Sequence, residues 1–119
     1  MVVEDDAEMN ELERQLLAIH GIESFPAYSG KEALELYDTR HVDGILLDVM
    51  LPEIDGFETC RRLRKKAGNP MLPIIMITAM SDPTVADKGY SMGANALFPK
   101  PFSPDEVVDK PKSLLADNS

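Results

Sequence analysis

Apolar residues along this chain alternate between two patterns, short unbroken runs and stretches in which they recur every three or four positions. The runs are Val2-Val3, Ile45-Leu46-Leu47 leading into Asp48, Pro73 to Thr78, and Ala96-Leu97-Phe98, and Ile22 to Tyr28, interrupted by Glu23-Ser24, reads as a further strand. Runs without alternation predict strands covered on both faces. Between them, Met9, Leu12, Leu16 and Ile19 lay an apolar stripe along a helix from Ala7 to about His20, closed by Gly21. Ser29-Gly30-Lys31-Glu32 has capping-box spacing and opens a second helix to about Arg40 that buries Ala33, Leu34 and Tyr37. Asp55-Gly56 opens a third, with Phe57, Cys60, Leu63 and Arg64 on one face, and Gly68-Asn69-Pro70 stops it. Asp82-Pro83 supplies the cap and first turn of a fourth helix, with Gly93 as its C-terminal cap. Ser103-Pro104-Asp105-Glu106 opens a fifth, lined by Val107, Val108, Leu114 and Leu115, in which Pro111 should produce a kink or an end.

Five strands each followed by a helix predict an α/β fold, a doubly wound five-stranded parallel sheet of strand order 2-1-3-4-5. Pro26 agrees with that order, because proline cannot serve a hydrogen-bond ladder on both sides and the second strand lies at the edge. Val2-Val3 reads as the end of a strand whose beginning is lost. Residues 1–119 are therefore expected to be a single domain, excised from a longer protein or truncated at its N-terminus.

In an open parallel sheet, the carboxyl ends of the strands gather in one crevice. Four polar features stand at such ends here: Glu4-Asp5-Asp6 after the first run, Asp48 after the third, Thr78-Ala79 after the fourth, and Lys100 after the fifth. Taken singly, each has a bland reading. An acidic triplet is usually a solvated turn or helix start, an aspartate after a strand is usually an N-cap, and Thr78 and Lys100 alone carry almost no signal. Their coincidence at consecutive strand ends changes the weighing. Three carboxylates in one crevice call for a positive partner, and Mg²⁺ takes oxygen ligands of this kind. With a carboxylate, a divalent cation, a lysine and a hydroxyl, the crevice could carry out phosphoryl transfer, leaving an acyl phosphate on Asp48.

Composition narrows the field. The chain is 44% apolar and 28% charged, which suits a globular core. Its net charge of −9 argues against a nucleic-acid backbone as direct partner. No run approaches the roughly 20 apolar residues of a membrane span, and the first residues lack a signal-peptide pattern. The single cysteine, Cys60, rules out an internal disulfide and is expected in the core, so a cytoplasmic location follows as the default.

Together, Val-Val-Glu-Asp-Asp at 2–6, Leu-Leu-Asp-Val-Met-Leu-Pro at 46–52 with Asp55-Gly56, Thr78-Ala79, Gly93-Ala94 and Lys100-Pro101-Phe102 closely resemble the receiver domain of bacterial two-component response regulators. The resemblance covers essentially the whole chain and implies a flavodoxin-like three-layer sandwich. By resemblance, Asp48 accepts a phosphoryl group from a sensor histidine kinase or phosphotransfer protein. Asp5 and Asp48 would bind Mg²⁺ directly, with the Met50 carbonyl as a further ligand and Glu4 acting through a water. Thr78, the Ala79 amide and Lys100 would hold the phosphoryl oxygens, and a cis Lys100–Pro101 bond would aim the lysine. Phosphorylation in the family remodels the face of the fourth helix, fifth strand and fifth helix, which serves an output domain or a homodimer.

The sequence departs from the family in places. Leu97 stands where the fifth strand usually carries a Tyr or Phe that turns inward with the threonine. Met50 and Met80, two residues beyond Asp48 and Thr78, offer no polar group to orient a water, so a long-lived phosphorylated state is expected. Two other readings compete. An aspartyl-nucleophile phosphohydrolase needs an acid at Met50 to protonate the leaving group, and a receiver-like module could bind partners without phosphorylation. No independent substrate turnover is expected.

Overall fold

The computed structural model describes residues 1–69, 71–79 and 83–100. The predicted fifth helix with Pro111, the Lys100–Pro101 bond, Phe102, Met80, Asp82 and Pro70 lie outside the described residues. The elements run β1 (Val2–Val3), α1 (Ala7–Ile19), β2 (Pro26–Ala27), α2 (Gly30–Thr39), β3 (Ile45–Asp48), α3 (Gly56–Ala67), β4 (Ile74–Thr78), α4 (Pro83–Ser91) and β5 (Ala96–Pro99). The strands form one parallel sheet in the order β2-β1-β3-β4-β5, as the alternation of patterns predicts.

Side chains alternate across the pleat, so the sheet divides the core in two. Val3, Ile45, Leu47, Ile74 and Met76 pack with Ala33, Phe57, Cys60, Leu63 and Val85 of α2, α3 and α4. Val2, Leu46, Ile75, Ile77 and Ala96 face the other way and pack with Leu17 of α1. Leu97 joins the first layer and Phe98 the second, on opposite faces of β5. β3 and β4 are buried along their whole length, which is why they read as unbroken apolar runs.

Local signals set most element ends. Ser29 Oγ accepts from the Glu32 amide at 3.0 Å, while the Glu32 carboxylate takes the amide of Tyr28 and not, as in a strict capping box, that of Ser29. Asp55 caps α3 through the Glu58 amide at 2.9 Å. Gly68 ends α3 at φ 59°, a left-handed conformation that costs glycine little. β2 is shorter than the run from Ile22 to Tyr28, because only Pro26 and Ala27 pair with β1.

The stripe predicted for α1 is corrected by the structure. Asn10, Glu13 and Leu17 face the sheet, whereas Met9, Leu12 and Ile19 are 38%, 49% and 77% exposed. Both faces have helical spacing, so periodicity could not choose between them. The choice is made by Asn10, whose Nδ2 lies 3.1, 3.1 and 3.2 Å from the carbonyls of Val2, Glu4 and Ala27. Those bonds satisfy backbone groups at the ends of β1 and β2 and turn the helix accordingly.

Candidate functional site

The crevice forms where β1, β3, β4 and β5 end, and each strand leads into it with at least one polar residue. Asp48 is the last residue of β3 and is buried. Its Oδ1 accepts from the Met50 amide at 3.1 Å and its Oδ2 from Lys100 Nζ at 2.9 Å. The chain leaves β3 through a tight loop that returns at Gly56, whose amide bonds Val49 O at 2.9 Å. A Cβ at Gly56 would stand 2.2 Å from the carbonyl oxygen of Asp48, so only glycine lets α3 start this close to the carboxylate.

Glu4 and Asp5 follow β1 directly. One carboxylate oxygen from each of Glu4, Asp5 and Asp48 lies within 4.8 Å of the other two. Asp6, the third member of the acidic run, serves the fold: it caps α1 by accepting from the amides of Glu8 and Met9 at 3.0 and 3.1 Å. Glu4 is buried, and its Oε2 has no hydrogen-bond partner among the described residues. Burial, followed by the adjoining Asp48 carboxyl, pushes Glu4 up to about 9, against the pull of Lys100. Three carboxylates, one of them with a buried oxygen that no hydrogen bond meets, fit a divalent cation.

Thr78 ends β4 and is fully buried, and its carbonyl accepts from the Lys100 amide at 2.7 Å. That bond brings the ends of β4 and β5 together and carries Lys100 over Asp48. Ala79 follows as an exposed residue. Lys100 Nζ lies 3.8 Å from Glu4 Oε2 as well as 2.9 Å from Asp48. Burial works against the lysine charge, but Asp48, then Glu4 and Glu13, outweigh it and raise its pKa. The side chain of Met50 is exposed at the mouth, in a depression of about 510 Å³ with Asp5, Phe57 and Lys88.

The structure thus brings Glu4, Asp5, Asp48, Met50 and Lys100 to one place; Thr78 is tied to Lys100 through its carbonyl, and Ala79 follows it in the chain. Leu97 is elsewhere, one layer below: it packs into the core beside α4, where a Cβ on Gly89 would sit 3.0 Å from its Cδ1. Sequence reasoning missed two residues near the site. Asn10 pins the backbone of Glu4, and Glu13 lies buried on the inner face of α1, where burial pushes its carboxyl up to about 7. Neither carries a motif, and each is visible only once the face of α1 is known.

Comparison with known proteins gives a consistent answer. The family model described as response regulator receiver domain matches residues 1–112. The chain is 38% identical over 117 residues to a probable transcriptional regulator ycf27 of Cyanophora paradoxa, covering 97% of this chain and 47% of that one. It is 36% identical over 115 residues to the response regulator MprA of Mycolicibacterium vanbaalenii, covering 97% and 49%. It therefore spans about half the length of these curated relatives. Among solved structures, the Francisella response regulator 1452 receiver domain superposes with a TM-score of 0.89 at 30% identity, covering 99% of this chain and 96% of that one. A putative response regulator from Chloroflexus aurantiacus gives 0.88 at 38%, covering 97% and 94%. On its sequence, its flavodoxin-like sheet order and its crevice, this chain belongs to the response regulator receiver domain family of two-component signalling.

Proposed function

We propose that this receiver accepts a phosphoryl group on Asp48 from a phosphohistidine of a sensor kinase or phosphotransfer protein. One observation carries the reading: the Asp48 carboxylate, buried at the end of β3, is held between Lys100 Nζ at 2.9 Å and the carboxylates of Glu4 and Asp5. A carboxylate oxygen of Asp48 attacks phosphorus, the P–N bond breaks, and its electron pair leaves with the imidazole, giving an acyl phosphate. Bound Mg²⁺ would neutralise charge on the transferring group. Asp5 and Asp48 would hold it, with the Met50 carbonyl as a further ligand and Glu4 acting through a water. Lys100 is placed to pass from Asp48 to a phosphoryl oxygen, and Thr78 with the Ala79 amide would take the others.

The relay follows from the same contacts. Drawing Thr78 and Lys100 toward the phosphoryl group pulls on the paired ends of β4 and β5, and so on α4. Leu97 already packs inward against α4, so the response is a shift of packed elements with no ring to reorient. That face would serve an output domain or a second receiver. The seam of Met9, Leu12 and Ile19 begins beside the crevice, where Asp6 caps α1, and would give the phosphodonor protein an apolar contact. No helix among the described residues is long and apolar enough to cross a membrane. Action in the cytoplasm, on other proteins and without independent substrate turnover, is part of this reading.

The test is the intact mass of the protein after incubation with phosphoramidate, with Mg²⁺ or with chelator, beside Asp48→Asn. One phosphoryl adduct that requires Mg²⁺ and is absent from the variant is expected. A folded, metal-bound protein that gains no adduct would leave a partner-binding module that works without phosphate.

A further inference from the structure

Glu4 and Asp48 are buried, but Asp5, which completes the acidic cluster, is exposed, so packing around its side chain does not aim it. Its direction depends on the backbone to either side, and one residue holds both sides. Asn10 donates from Nδ2 to Glu4 O at 3.1 Å and from its backbone amide to Asp6 O at 2.8 Å. The same Nδ2 reaches Val2 O at 3.1 Å and Ala27 O at 3.2 Å, and Ala27 O also accepts from the Glu4 amide at 3.0 Å. Asn10 thus grips the chain before and after Asp5 and ties it to the ends of β1 and β2.

The Asn10 amide can do this one way round. Its Nδ2 carries the hydrogens and meets carbonyl oxygens, while its Oδ1 accepts from Arg14 Nε at 2.8 Å. Turned over, it would set an oxygen against those carbonyls and a nitrogen against a donor. Asn10 is fully buried, so solvent cannot replace a lost partner, and a buried polar atom left alone is costly. Arg14 stands one turn further along α1, and helical side chains lean toward the N-terminus, which brings its Nε back over Asn10. Among the described residues Arg14 is the one donor to Asn10 Oδ1.

We propose that Arg14 and Asn10 are positioning residues for the cation site, Arg14 fixing the Asn10 amide and Asn10 fixing the backbone that aims Asp5, a role that rests on the Mg²⁺ reading of that site. The sign of the Arg14 effect separates this role from plain electrostatics. Arg14 is a cation on the helix that follows the acidic cluster, so by charge alone it opposes Mg²⁺ and its removal should tighten binding. By positioning, its removal frees the Asn10 amide, loosens the grip on Asp5 and weakens binding. What matters then is a donor at the place of Nε and not the charge. The side-chain amide nitrogen of glutamine lies as many bonds from the backbone as arginine Nε, and methionine carries a methyl group there.

The test is calorimetric titration of Mg²⁺ into the wild type, Arg14→Met and Arg14→Gln, each well below its Tm. Arg14→Met is expected to raise the Kd by about threefold to tenfold, and Arg14→Gln to stay within about twofold of the wild type. Asn10→Leu should raise it by at least about tenfold; if that variant does not fold, the two Arg14 variants decide. Amide exchange in chelator reads the same grip without metal. Exchange at Glu4 should quicken by at least about tenfold in Arg14→Met and not in Arg14→Gln, while Leu47 and Ile75 keep wild-type protection. A Kd that falls in both Arg14 variants would overturn the proposal in favour of charge. An unchanged Kd in Arg14→Met, an equal rise in both variants, or exchange that quickens alike at Glu4, Leu47 and Ile75 would overturn it too. A wild type that takes up no Mg²⁺ would remove the cation site itself and the proposal with it, an outcome distinct from any difference among the variants.

Discussion

Lys100 Nζ stands 2.9 Å from Asp48 Oδ2 and 3.8 Å from Glu4 Oε2, so one ammonium serves two buried carboxylates. It occupies the ground a cation would share, and its removal separates two roles. In Lys100→Gln, Asp48 loses its fixed partner, and Mg²⁺ should bind as tightly as before or up to about tenfold more tightly, about 1.4 kcal/mol. Phosphorylation by phosphoramidate should fall by at least about tenfold, because a phosphoryl oxygen loses its charge partner. Titration of Mg²⁺ against the wild type, with the adduct followed by mass, reads both. Parallel losses of binding and transfer would show that the lysine only supports the fold.

Glu13 gives a pH dependence whose sign is fixed by burial. Its carboxyl is 3% exposed and is raised from 4.5 to about 7, chiefly by burial, with Lys100 opposing and Asp48 adding to the shift. A raised folded-state pKa means the proton is held more tightly in the folded protein than in the unfolded chain. The stability linked to it is present below 4.5 and is lost as pH climbs to about 7. Glu13→Leu should therefore gain on the order of 2–3 kcal/mol at neutral pH and little at pH ~4.5. Urea unfolding at the two pH values measures the difference, and an equal change at both would refute it.

Met50 presents an apolar, 60% exposed side chain at the mouth of the crevice. An amide there could hold a water near the acyl phosphate, which thioether carbon cannot. Met50→Asn is expected to shorten the lifetime of the phosphorylated protein by roughly threefold to tenfold. Decay of the adduct after removal of phosphoramidate gives the rate, and a lifetime no shorter than that of the wild type would dismiss Met50 as the cause of persistence.

Arg64 ties down the end of the sheet remote from the crevice. Its guanidinium donates to Gly93 O and Asn95 Oδ1 at 2.7 Å and to Leu72 O and Asn69 O at 2.8 and 2.9 Å. Asn95 Oδ1 in turn accepts from the Ile74 amide that begins β4. Arg64→Ala leaves these carbonyls without a donor and should cost about 2–4 kcal/mol in urea unfolding. The phosphorylation yield of the fraction that remains folded should not change, since the clamp is far from Asp48.

The sequence by itself determined the architecture and the membership of the crevice. Buried parallel strands leave unbroken apolar runs, and the polar residues ending those runs, Asp5, Asp48, Thr78 and Lys100, must meet if the strands are parallel neighbours. Pro26 marked the edge strand for a reason equally local, since proline lacks the N–H a central ladder needs. What the tertiary structure alone decided were choices between local patterns of equal quality. The seam of Met9, Leu12, Leu16 and Ile19 is as regular as the face of Asn10, Glu13 and Leu17, and the second faces inward because the Asn10 amide meets three strand-end carbonyls. Arg64 looked like one residue of a helix face and proved to join two loops that lie close only in the folded sheet. The raised pKa of Glu4 likewise belongs to no stretch of sequence, because it follows from burial and from Asp48, a residue on another strand. Periodicity records which residues share a face. Which face is buried, and what a buried polar group then meets, depends on partners distant in the chain.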